Sequence, residues 1–230
     1  MLGECVSTKW QAWNHVVSSY DDEEKQWEIL HHFLEPVAYY CMLQPSGFAD
    51  RLALTTENLL HQANQRVFPE EPDQLAQDAQ PDMPLRRSDR RRQLGALGVR
   101  WSKFPPFQQA LAVLDGDEYR RLTCNYRNLS AHSFSPRFML GDVRRAIRSI
   151  VPRWDMVRQN DGSYIYTEHV TEKVVAYAMG SQQPLALEES YEANLAEYQR
   201  ARDAINYFIS LAEELCDRID QIDVGGGGVE

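Results

Sequence analysis

The chain has 230 residues, 43% hydrophobic and 25% charged, the profile of a globular protein with a core of its own. Its formal net charge of −10 argues, taken whole, against a nucleic-acid binder. No apolar run approaches the ~18 residues of a membrane span, and Met1-Leu2-Gly3-Glu4-Cys5 lacks the basic-then-apolar order of a secretory leader.

The expectation is therefore a cytoplasmic protein with one domain over residues 1–223 and a flexible Gly-rich tail over 224–230. Cys5, Cys41, Cys124 and Cys216 lie far apart with no CxxC pair, so they read as reduced thiols. Zinc and disulfides would need closer or patterned spacing, and no metal is expected.

Trp10, Trp13, Val17 and Tyr20 recur at helical spacing and predict an amphipathic helix over residues 5–20. Asp21-Asp22-Glu23-Glu24 supplies an acidic first turn for the next helix, matched to the positive end of its dipole. That helix runs through Trp27, Leu30, Phe33 and Leu34 and is expected to stop or kink near Pro36. A third helix is expected over residues 48–67, burying Leu52, Leu59 and Leu60.

Residues 69–92 hold Pro69, Pro72, Pro81 and Pro84 among acidic and amide residues, then Arg86-Arg87-Ser88-Asp89-Arg90-Arg91-Arg92. Such a stretch has too little apolar area to offset its ordering entropy and reads as an exposed Pro/Arg-rich loop. Structure resumes near Phe107, and Asp115-Gly116-Asp117 breaks and caps the chain before one helix over 118–132.

Residues 153–178 switch to β-formers (Tyr164, Ile165, Tyr166, Val174, Val175, Tyr177) around the turn Asn160-Asp161-Gly162. They predict a small β-hairpin insertion. After Pro184 a long helix runs to about residue 223. Its stripe of Tyr191, Leu195, Tyr198, Ile205, Ile209, Ala212, Leu215, Ile219 and Ile222 is expected to be buried in a bundle or helix pair.

Charge is distributed unevenly. Between Arg86 and Arg158 stand 16 basic residues against 6 acidic ones, a local charge of +10 that leaves −20 elsewhere. Two readings fit: a phosphate-contacting face, or arginines paired with the acidic helices.

Within the expected 118–132 helix, Tyr119, Leu122, Tyr126 and Leu129 form the apolar stripe. At about 100° per residue, Asn128 and His132 fall together away from it; Arg121 shares their side, and Arg120 and Arg127 form a neighbouring row. Those residue types suit RNA cleavage without a metal. Histidine titrates near neutrality, so it can take a proton from a ribose 2′-hydroxyl or give one to the leaving oxygen. Arginine keeps its charge and can place two N–H groups on the scissile phosphate, while asparagine can hold the imidazole or bond a phosphate oxygen. The candidate catalytic residues are Arg127, Asn128 and His132. Arg120, Arg121, Arg86, Arg87, Arg90, Arg91 and Arg92 are the candidate RNA contacts.

The run Arg127-Asn128-Leu129-Ser130-Ala131-His132 resembles the Arg-x(4–6)-His motif of the HEPN superfamily, where a polar residue, often Asn, follows the Arg. The resemblance implies a mainly all-α, HEPN-like helical bundle, here with a small β-hairpin insertion. It also implies a homodimer with two motifs meeting across the interface. The implied activity is metal-independent endoribonuclease cleavage, leaving 2′,3′-cyclic phosphate and 5′-hydroxyl ends and needing no cofactor. RNA is the implied substrate, and the setting is toxin–antitoxin or antiphage defence, with an antitoxin or other defence protein as partner. One HEPN subgroup carries, two residues after the His, a Tyr that accepts AMP; Phe134 stands there in this chain. The alternative is a non-catalytic HEPN-fold interaction or RNA-binding module.

Other constellations are weaker. Glu28-x-x-His31 with Glu35 resembles half of a di-iron helix pair, but no second Glu-x-x-His exists, so a solvated helix face is expected. His169 beside Glu168 reads as a surface pair, and His15 and His61 as helix-interface residues. Ser130 and Ser133 lack a nucleophile-elbow context, and there is no Gly-rich phosphate loop.

Overall fold

A computed structural model of the chain describes residues 2–70, 73, 86–132, 134–141 and 143–225. It is mainly helical, with a two-stranded antiparallel sheet among the described residues. Helix α1 (Leu2–Ser18) is followed by α2 (Glu23–Ile29), whose N-cap Asp22 accepts hydrogen bonds from the backbone N–H groups of Glu24 and Lys25. Those bonds, Lys25's first, hold the Asp22 carboxyl below its ordinary value.

The chain then widens into one π-helical turn (Leu30–Leu34) and continues straight into the 33-residue α3 (Glu35–Val67). The expected stop near Pro36 is this wide turn. Proline has no N–H for the carbonyl four residues back, and the Glu35 N–H reaches to Leu30 instead. Pro45 sits inside α3 without ending it, so the helix expected over 48–67 begins well before its predicted start.

The arginines expected in a loop belong to a helix. Residues 71–72 and 74–85 lie outside the described residues, but α4 spans Arg87–Gly98 with extended Arg86 before it. Leu94 and Leu97 supply the buried face that composition alone concealed, and Arg90 pairs with Glu57 of α3 at 3.2 Å. Gly98 is required by packing, since a Cβ there would overlap the ring of Phe104. Helix α5 (Phe104–Val113) follows, its start closed by Glu214, which accepts from the N–H groups of Ser102 (2.9 Å) and Lys103 (2.8 Å).

The single helix expected over 118–132 is two: α6 (Asp117–Leu122) and α7 (Tyr126–His132). Strand β1 (Val143–Arg158) pairs with β2 (Tyr164–Gln182) over a length of about 50 Å, far beyond residues 153–178. The turn lies where expected, with Gly162 at φ 87° and the Gly162 N–H donating to Gln159 O at 3.0 Å. The ladder shifts register between Pro152 and Arg153, leaving residues 170–172 without cross-strand partners. His169 pairs with Asp155 at 3.2 Å rather than with Glu168. The 39-residue α8 (Leu187–Gly225) closes the fold.

Two apolar clusters hold the helices together. One joins the second half of α3 to α4, α5 and the middle of α8 through Leu60, Leu94, Phe107 and Leu211. The other joins α1, the π-turn and the first half of α3 to Tyr126, Phe138 and Tyr191. Phe138 and Leu185 form a backbone bridge that fastens the foot of the hairpin. The stripe expected to be buried along α8 is only partly so. Tyr191 and Leu215 are buried, whereas Leu195, Ile205, Ile209 and Ile222 face solvent, because the packed face lies closer to Asn194, Glu197, Ala204 and Leu211.

Candidate functional site

Helix α6 is held to the body by buried polar bonds. Asn194 donates to the backbone oxygen of Cys41 and to the Tyr119 hydroxyl, both at 3.1 Å, and that hydroxyl faces Met42 Sδ at 3.6 Å. Burial pushes the Tyr119 hydroxyl and the Cys41 thiol upward in pKa, the thiol to about 12. Buried Glu197 accepts from the N–H of Asp115 and pairs with Arg200 at 3.0 Å; Arg200 also reaches Glu118 at 2.8 Å.

The corner after α6 explains why the helix does not continue. Cys124 and Asn125 adopt φ of 48° and 53°, in the left-handed region. The Asn125 N–H reaches Arg120 O at 2.6 Å and the Cys124 N–H reaches Arg121 O at 3.2 Å. Together these bonds make a Schellman termination, unusual in using Cys where Gly is the common choice. Thr123 Oγ1 adds a bond to Tyr119 O at 2.8 Å.

Past this corner α7 presents its own pattern. Tyr126 is buried against Phe138, with ring centroids 5.5 Å apart, and Leu129 and Ser130 are half-buried. Arg127, Asn128, Ala131 and His132 are all exposed. At about 100° per residue these four fill one arc of about 140°, Arg127 and His132 at its edges, Asn128 and small Ala131 between. The catalytic candidates therefore share one open face whose opposite side is anchored.

The supporting arginines are dispersed. Arg121 is exposed but sits on α6, before the corner, so it no longer shares the helix face of Asn128 and His132. Arg120 pairs with Asp115 at 2.9 Å, a bond that raises its pKa and occupies it structurally. Arg90 is committed to Glu57 and Arg92 to Asp89, while Arg86 and Arg91 are exposed; the Arg87 side chain lies outside the described residues. Helix α4 packs near Glu57 and Asn64, whereas α7 meets α3 near Tyr39. Eighteen residues of α3 separate Tyr39 from Glu57, about 27 Å. The arginines of α4, candidate RNA contacts, thus stand apart from the motif helix along α3.

Sequence reasoning set aside one arrangement that the fold completes. His31 Nδ1 lies 3.0 Å from Glu35 Oε2, and Arg137, 102 positions away, places Nη1 at 3.3 and 3.4 Å from the two Glu35 oxygens. The i,i+4 spacing of His31 and Glu35 was a visible signal; the arginine was not. Among the described residues no three His, Cys, Asp or Glu side chains gather as metal ligands would, and no helix is long and apolar enough to cross a membrane. No protein-family model, curated protein or solved structure matches the chain.

Proposed function

We propose that this protein is a metal-independent endoribonuclease of the HEPN type, with Arg127, Asn128 and His132 as its catalytic residues. The supporting observation is the single exposed arc of α7, which sets a cation, an amide and an imidazole along one open helix face. An imidazole there removes the proton of a ribose 2′-hydroxyl, and the 2′-oxygen bonds to phosphorus. The bond from phosphorus to the 5′-oxygen breaks, and that oxygen takes up a proton, leaving a 2′,3′-cyclic phosphate and a 5′-hydroxyl. Arg127 stabilises the charge gathering on the phosphate oxygens.

One copy of the motif offers one imidazole, so the acid that protonates the leaving oxygen is most simply His132 of a second copy related by two-fold symmetry. The exposed apolar residues of the hairpin and of the α8 stripe leave surface for such a homodimer. A role in toxin–antitoxin or antiphage defence, with an antitoxin as partner and a cytoplasmic location, extends the same reading.

The test is cleavage of single-stranded RNA in EDTA. Wild-type protein is expected to cut, and His132→Ala to lose cutting while keeping its melting temperature. Cutting that survives the substitution, or that stops with chelator, overturns the assignment. A second reading, a non-catalytic interaction or RNA-binding module, is favoured by the long hairpin of exposed apolar side chains, and it predicts binding without cleavage.

A further inference from the structure

Beside α7 lies a cleft of about 550 Å³, walled by the π-turn and the start of α3 on one side and by the chain following α7 on the other. Its size falls in the range of small-ligand sites. Buried Tyr126, the first residue of α7, also lines it, so the cleft adjoins the motif helix without containing His132.

The polar groups converge there in a specific order. Glu35 bonds His31 on one side and Arg137 on the other. A carboxylate against Nδ1 fixes the tautomer and turns Nε2 outward for a ligand. Trp27 stacks on the His31 ring at 5.2 Å and 19°, which sets the plane of the imidazole. Glu35 engages Arg137 through Nη1, and the guanidinium carries further N–H donors on Nη2 and Nε. The negative charge of Glu35 is thereby shared between two partners, and Arg144 lines the same cleft. Two exposed aromatic rings, Tyr39 and Phe134, complete the walls. His31 itself stands on the π-turn, a helical irregularity often found at functional sites.

We propose that this cleft binds a nucleotide, with the phosphate on Arg137, a ribose hydroxyl donating to His31 Nε2 and the base against Tyr39 and Phe134. Cations with aromatic walls are the chemistry that holds a phosphate and a base together, since stacking tolerates any base and the guanidinium grips phosphate oxygens. The nucleotide is either a unit of an RNA strand crossing α7 or a free mononucleotide. The proposal deepens the ribonuclease reading by giving the strand a second contact, but it stands on binding and does not depend on cleavage.

The experiment is calorimetric titration of the full chain with adenosine 3′-monophosphate, adenosine and inorganic phosphate. It is followed by competition with a 2′-O-methyl RNA octamer, which this cleavage chemistry cannot cut. The 3′-monophosphate is expected to bind saturably, with adenosine and phosphate each weaker by about tenfold or more. His31→Ala and Arg137→Ala should each weaken it by about tenfold, with Arg137→Lys between them and the wild type. Circular dichroism checks the fold of each variant, and His31→Gln replaces any alanine variant that misfolds. Displacement of the mononucleotide by the octamer identifies RNA as the source; saturable mononucleotide binding that the octamer leaves untouched identifies a free nucleotide. Absence of saturable binding by either probe overturns the proposal, as does binding unchanged in all folded variants, or phosphate alone competing as well as the nucleotide. The ribonuclease reading fails by a different result, retained cleavage by His132→Ala.

Discussion

In the helical body, apolar side chains lie between layers: Phe107 is fully buried among α3, α5 and α8, and Trp10 among α1, Phe138 and Tyr191. The β1–β2 ribbon is equally rich in such residues, yet Ile150, Tyr166 and Tyr177 are 71% exposed and Met179 70%. Residues paired across the strands share a face, which places Ile150 with Val175, Met156 with Tyr166, Arg148 beside Tyr177 and Arg158 beside Tyr164. The difference is one of layers, not of residue type. A helix packed in a body has neighbours on most sides, whereas a two-stranded ribbon has two faces and, among the described residues, no element laid over them. Such a ribbon is marginal in water alone and gains most by meeting a surface outside its own chain.

The contrast is sharpest where the body is cut into. Phe107→Ala removes a fully buried ring and is expected to cost about 3–5 kcal/mol, read as a shift in the urea midpoint. A cost near zero there would mean the body is as loosely packed as the ribbon.

An intermediate effect is expected at the edge of the body, where Glu214 of α8 closes α5. Burial would raise its carboxyl, but the N–H groups of Lys103 and Ser102 outweigh that and hold it below the ordinary value. A lowered acid contributes stability that is present above its unfolded pKa and is lost as pH falls through its folded pKa. Glu214→Gln should therefore cost about 1 kcal/mol at neutral pH, a figure kept small because the side chain is only half-buried. The gap between variant and wild type should close in acid; a gap that persists at pH 2 would assign the loss to packing.

The smallest change in stability belongs to the ribbon. Replacing Trp154, Tyr166 and Tyr177 by Ser should leave the midpoint within about 0.5 kcal/mol, since solvent-facing side chains contribute little to folding. The same triple variant should lose self-association in sedimentation if these faces meet a second copy. Loss of several kcal/mol from the isolated subunit would instead show the ribbon to be packed against its own body.

Local chemistry was the readable part of the sequence. The acidic first turn of α2, the turn at Asn160-Asp161-Gly162 and the span of α8 follow from neighbouring residues, and so does the outward face of α7. Partners distant in sequence were not readable. The first half of β1 carries Arg144, Arg145, Arg148 and Pro152, and only pairing with residues 173–182 makes it a strand. The arginine run of α4 becomes helical because Leu94 and Leu97 have α3 and α5 to pack on. The break between α6 and α7 needs left-handed Cys124, which no propensity scale favours. The His31 cleft is closed by an arginine 102 positions beyond Glu35, so its spacing showed two members of a set of three.

Helices α3 and α8 are long enough to belong to both apolar clusters: α3 through Cys41 and Met42 to one and Leu60 to the other, α8 through Tyr191 and Leu211. Neither cluster can come apart without withdrawing a wall of the other, so the two are thermodynamically a single cooperative unit. Calorimetry of the whole chain should then give one transition whose van't Hoff and calorimetric enthalpies agree, and a ligand seated at either end should raise the melting temperature of the whole.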